Sequence, residues 1–198
     1  MSTRTSVLSW VVAGVMATAA PSISLAQKGK PIGPGDLKVT AISQKVVEPP
    51  NYGAFTESLG SQTSLATKRW LKVEATFATT PDWCDEVQLK FYVLMGKGQD
   101  RHLYVGDVTH VNVARGQNHY SAVFIHPATL ERFGNGQRAE AVAVVLSAQN
   151  RPLSSESEPS SNRRWWEQLP PETGNVLSPD QTPWSVIAYK RYEAIKPR

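Results

Sequence analysis

The sequence predicts an all-β protein, an immunoglobulin-like sandwich of two sheets with about seven strands and one short helical turn. Three observations lead there. Apolar and polar residues alternate over run after run, which puts one face of each run in a core and the other toward water. Short turns rich in Gly, Pro and Asn separate the runs. The alternation breaks once, at Pro127–Phe133, before the penultimate strand. The strand count and spacing carry the immunoglobulin-like reading, because the Cys…Trp…Cys pattern of antibody domains is absent; a jelly roll or another sandwich stays open.

Residues 1–26 stand outside this fold. Arg4 is the only charge before Lys28, residues 7–20 read VLSWVVAGVMATAA, and Ser24-Leu25-Ala26 places small residues at the positions a signal peptidase reads. A cleaved secretory signal is expected, with Gln27 as the new N-terminus. A membrane anchor fits less well, because spanning needs about 20 apolar residues and the run breaks at Pro21. No later segment is apolar and long enough to span. Residues 27–35 (QKGKPIGPG) are expected to be a flexible leader. Residues 36–198 then form a single sandwich domain with a long loop at 150–183.

The elements follow in order. Asp36–Val47 alternates as a first strand and stops at Pro49-Pro50. Residues 51–66 read as loop. In Thr67–Thr79, Leu71, Val73, Ala75 and Phe77 share a face opposite Trp70, Lys72, Glu74 and Thr76. In Cys84–Met95, Val87, Leu89, Phe91, Val93 and Met95 face away from Gln88, Lys90, Tyr92 and Leu94. The turn residues Gly96 to Asp100 make a hairpin with Leu103–Val113, in which Gly106-Asp107 marks a bulge or kink. Asn118–His126 is the next strand. Pro127 suits the first position of a short helix, ended by Gly134. Arg138–Gln149 is apolar on both faces in its middle, as a covered central strand is; a buried helix can read the same way, and the Gly134-Asn135-Gly136 turn and the β context favour strand. Residues 150–183 carry six prolines, too many for an interior strand; a loop that long either hides a short strand or serves a function. Trp184–Glu193 alternates as a last strand.

Composition excludes several classes. The formal net charge of +4 is too small to argue for nucleic acid. The single cysteine, Cys84, forbids an intrachain disulfide, and Asp85 and Glu86 beside it oppose a reactive thiolate. His102, His110, His119 and His126 show none of the spacings of a metal site, although His110 and His119 can approach across a turn. No GxSxG, P-loop or dinucleotide fingerprint occurs, and the pairs Asp85/Glu86 and Glu156/Glu158 read as surface charge. No enzyme and no cofactor is expected; a metal-dependent enzyme ranks third among the functions.

One cluster stands out. Arg163, Arg164, Trp165 and Trp166 are the only dense group of residue types that dominate binding hot spots, and they sit in the long loop. Trp70 and Tyr92, on the polar faces of their strands, form a second candidate surface, which the long loop could equally cover. These six residues are the candidate binding residues. A protein-binding or structural module is the first reading, and a carbohydrate-binding module using exposed Trp and Tyr is the alternative. Trp166 and its neighbour can also act as a plug over the sandwich rather than as anchors.

The runs RWLKVEATF, VQLKFYVLMGK and RAEAVAVVLSAQ, behind a cleavable signal, resemble verrucomicrobial envelope proteins encoded beside type IV pilus assembly components. The resemblance spans Asp36 to Tyr192. It implies a non-enzymatic envelope role in pilus assembly or surface interaction, exported to the periplasm or outer surface, with an envelope protein, pilus-associated, as partner. A homo-oligomer stays open. The resemblance supplies no catalytic residues. Pilin subunits retain a long hydrophobic N-terminal helix, which this chain lacks.

Overall fold

Two strands of unusual length organise the chain in the computed structural model, which describes residues 31–50, 68–188 and 190–197. β2 runs from Trp70 to Lys97 and β3 from Asp100 to Ile125. They pair antiparallel from Lys97↔Asp100 at the turn to Leu71↔Ile125 at the far end. The runs expected as separate strands are therefore halves of continuous ones. The joins are the residues around Pro81 and Gly116, where the ladder shifts register between Phe77 and Trp83. A proline is tolerated in a strand at such an irregularity, because no ladder hydrogen bond has to be given up there.

Each half of this hairpin supports its own layer. β1 (Leu37–Val47) pairs with Trp70–Thr79, the first half of β2. β4 (Ala141–Ala148) pairs with Gln88–Leu94 in the second half, and β5 (Arg151–Glu158) pairs with β4. The bend between the halves lays β1 over β5, where the Val39 amide donates to Ser154 Oγ at 3.1 Å. Two short bridging strands complete seven among the described residues: β6 (Pro171–Glu172) lies parallel to Leu103–Tyr104, and β7 (Val176–Leu177) pairs with Phe124–Ile125. This is the all-β, sandwich-like fold that the strand count predicts. The described residues from Pro31 onward form one compact unit.

The core lies where the alternation places it. Leu71, Val73, Ala75 and Phe77 from one half, and Val87, Leu89, Phe91, Val93 and Met95 from the other, are fully buried and pack together. Burial of each such side chain stabilises by roughly 1.5–3 kcal/mol. The hairpin turn is Gly98-Gln99, with Gly98 at φ 62, the positive φ that a two-residue turn opening on glycine needs.

Four expectations change. Gly106 sits in regular register with Phe91 and marks no bulge; a Cβ there would lie 2.8 Å from the Val176 carbonyl oxygen, so the glycine admits β7. The helix α1 (Pro127–Gly134) forms as expected, but Asn135, left-handed at φ 50, ends it rather than Gly134. Residues 151–158, within the expected loop, are β5. Trp184–Glu193 is not a strand: α2 (Ser185–Ala188) and turns stand there. Thr182 and Pro183 start that helix, with the Ser185 amide donating to the Thr182 carbonyl at 3.1 Å. Five alternating residues do not outweigh such a start signal. Residues 1–30 and 51–67 lie outside the described residues, and with them the expected signal, most of the leader and the loop at 51–66.

Candidate functional site

The six candidate residues separate onto two outer faces of the sandwich. Both faces are covered by the segment that follows β5. On the outer face of the β5–β4–β2 layer, Trp166 is 5% exposed and packs on Leu94, Leu103, Ala141 and Ala143. It stands in a 3₁₀ turn, Trp165–Glu167, closed by the Glu167 amide on the Arg164 carbonyl at 3.1 Å. Tyr92 lies 6.3 Å from Trp166 between ring centroids, and Trp165 meets Trp166 edge-on at 5.6 Å. Arg163 and Arg164 face water, and Arg164 pairs with Glu167 at 3.3 Å. Arg163, Arg164, Trp165, Trp166 and Tyr92 thus share one region.

Trp70 does not join them. It is 9% exposed on the outer face of the other layer. Trp184 meets it edge-on at 5.6 Å and stacks on Phe124 at 4.4 Å. Just beyond α2, Arg191 clamps Glu74 with Nε at 2.9 Å and Nη2 at 2.7 Å. Lys72 adds a contact at 2.5 Å and the Tyr192 hydroxyl one at 3.2 Å. Burial pushes the Glu74 carboxyl up, but the hydrogen bonds from Arg191 and Lys72 outweigh it and hold the pKa at about 2. Trp70 is therefore packed under the C-terminal segment and Trp166, within that segment, against the outer face of the other layer, not set out as a flat row of rings.

What the first region offers to solvent is a cleft. It has a volume of about 300 Å³. Tyr92, Val145 and Trp166 line its floor; Ser154 and Ser155 of β5 form one wall, and Arg164 and Glu167 the other. Reading 150–183 as a long loop that either hides a short strand or serves a function left the β5 wall unlocated. The signal was present in the hairpin: Gln149 and Asn150 both take positive φ, 51 and 59, as a two-residue turn of mirror-image type requires, and Asn is one of the residues that tolerates this.

His110 and His119, buried, both lie beside Phe77, at ring distances of 6.0 and 5.2 Å. His110 Nε2 lies 2.8 Å from Ser121 Oγ, and its Nδ1 lies 3.2 Å from the Glu193 carbonyl oxygen. His119 Nδ1 meets the Glu193 carboxylate at 2.8 Å and its Nε2 meets Thr79 Oγ1 at 3.2 Å. A Ser–His pair at this distance is the geometry of an activated nucleophile. Here both residues are fully buried, so no substrate reaches the hydroxyl. The network instead holds the C-terminal segment, whose Ala194 carbonyl accepts from the Val111 amide at 2.8 Å. Burial lowers the His110 pKa to about 4 against the opposing pull of the Glu193 carbonyl. Cys84 is buried, and burial, then Asp85 and Asp36, pushes its thiol up, away from the thiolate a nucleophile needs.

A family model matches this chain over residues 32–198. No curated protein matches it. A crystal structure of a protein from Akkermansia muciniphila superposes with a TM-score of 0.65, covering 82% of this chain and 93% of that one at 21% identity. At that identity the likeness shows a shared fold.

Proposed function

We propose, from the premise that this chain belongs to the family whose model it matches from residue 32 to residue 198, that it is an exported, non-enzymatic binding or structural module of the bacterial envelope. It acts in pilus assembly or surface interaction, with an envelope protein as partner. The observation that carries the reading is the exposure of Arg163 and Arg164 beside the half-buried Trp165 and the buried Trp166, with Arg164 lining the cleft. A rim of arginine and aromatic residues set on a rigid base is the pattern of a binding hot spot. The secretory signal expected over residues 1–26 supports an envelope setting. No helix among the described residues is long and apolar enough to cross a membrane.

The test is capture of a partner from envelope extract with the chain from Gln27 onward as bait. Arg163→Ala and Arg164→Ala together should weaken capture by roughly 2 kcal/mol or more, with the melting temperature nearly unchanged because both side chains face water. Equal capture by the double variant removes these arginines as the contact surface. Trp166→Ala is the wrong probe, because losing a buried indole costs about 3–5 kcal/mol of folding stability whatever it does to binding.

A further inference from the structure

We infer that the cleft between β5 and the Trp165–Glu167 turn is a subsite for a single pyranose sugar or a disaccharide, so that the partner is recognised through a glycan. The inference rests on the reading that this rim is the contact surface, and it names the chemistry recognised there. Four features carry it.

The first is size. At about 300 Å³ the cleft stands at the small end of ligand pockets, too small for a folded partner's apolar core and right for one or two sugar rings. The second is the mixture of its lining. A pyranose has a face of C–H groups and an edge of hydroxyls. Tyr92, Val145 and Trp166 offer apolar and aromatic surface to the face. Ser155, Arg164 and Glu167 offer donors and acceptors together to the edge. An apolar peptide anchor would cover the Ser155 hydroxyl without offering it a partner, at a cost.

The third feature is preorganisation. Trp166 is fixed by its packing on Leu103 and Ala143 and by the edge of Trp165. Tyr92 is held between Trp166 and the Lys90 ammonium, 5.5 Å from its ring centroid. A platform already ordered gives up little freedom when a ligand arrives. The fourth is that the polar wall can be recruited. The Arg164–Glu167 pair is exposed on both sides, 68% and 59%, and exposed pairs of this kind contribute at most about 1 kcal/mol. Sugar hydroxyls can therefore take over its donors and acceptors with little loss.

The test is saturation-transfer NMR on the full chain from Gln27, with the methyl pyranosides of glucose, galactose and N-acetylglucosamine as probes, and lactose and cellobiose as two-ring probes. At least one should receive saturation at its ring C–H protons. In Arg164→Ala/Glu167→Gln, whose altered side chains lie outside the core, the affinity should fall about tenfold or more. Tyr92→Ala should abolish the transfer, with the fold checked by its melting curve. Trp83→Ala, which removes an indole 66% exposed elsewhere on the surface, should change nothing. Absence of transfer to all five probes overturns the inference, as does transfer that survives Arg164→Ala/Glu167→Gln or disappears with Trp83→Ala. Partner capture that depends on the rim while all five probes fail leaves the contact surface standing and removes only the sugar.

Discussion

His110 and Glu74 title the chain's response to acid in two separate windows. His110 is buried and kept neutral, with its pKa at about 4 against 6.5 when free. Below pH 6.5 the unfolded chain takes up a proton that the folded chain refuses. Stability therefore falls as pH drops from 6.5 toward about 4, by up to about 3 kcal/mol. Glu74 acts lower. Its pKa falls from 4.5 to about 2, so its contribution is complete above 4.5 and is lost as pH falls to about 2. Urea midpoints measured against pH should show both slopes. His110→Gln should remove the upper one alone, and Arg191→Ala the lower one. A single slope that both variants alter equally would contradict this assignment. His102 works in the other direction. Its bond to Glu172, 2.8 Å long, raises its pKa; burial pulls the other way, and the bond to Asp100 adds a smaller upward push. It ties β6 to the hairpin below its free pKa of 6.5 and lets go as pH rises through the raised value.

At the scale of elements, the hairpin joining β4 to β5 gives the sharpest prediction. Its turn residues Gln149 and Asn150 are both left-handed, and a residue with a long side chain pays for that conformation where Asn and Gly do not. Gln149→Asn with Asn150→Gly should raise stability by about 1 kcal/mol, read as a shift in thermal midpoint. A fall instead would mean that Gln149 makes a contact worth more than its strain. The same turn explains what the sequence concealed. Period-two alternation in Leu71–Phe77 and Val87–Met95 is unmistakable because one face of each is wholly buried. β5 reads RPLSSESE because it is an edge strand, and edges are kept polar to discourage stray pairing. Trp184–Tyr189 misled in the opposite sense: its alternation is real, but Val186 and Ile187 stay exposed on a helical turn, while Trp184 covers Phe124 and Ala188 is buried. In the candidate site, Arg164, Trp165 and Trp166 were legible as a cluster. Their depth was not, since burial of Trp166 depends on Leu103 and Ala143, which lie far away in sequence.

For the whole molecule, the segment after β5 passes over both layers and fixes an indole on each, Trp166 on one outer face and Trp184 on the other. This is why Trp70 and Tyr92, on the polar sides of their strands, are drawn inward. Beneath that cover, one hairpin supplies backbone to both layers, and this has a kinetic consequence. In a sandwich whose sheets share no strand, each pairing between distant segments must close its own loop before contacts repay it. Here the pairs of β2 and β3 extend outward from Gly98-Gln99, each one next to a pair already made, so the entropy of closure is met in small steps. The barrier crossing should be polarised toward the turn. Val93→Ala, four pairs from Lys97↔Asp100, should mainly slow refolding. Val73→Ala, opposite Val123 near the far end, should mainly hasten unfolding. Both side chains are fully buried, so similar losses of equilibrium stability are expected, and stopped-flow chevrons of the two variants should differ in which arm moves. If both arms move alike for both variants, the zipper picture fails; if they split as described, assembly of the two layers is a single propagating event that starts at one tight turn.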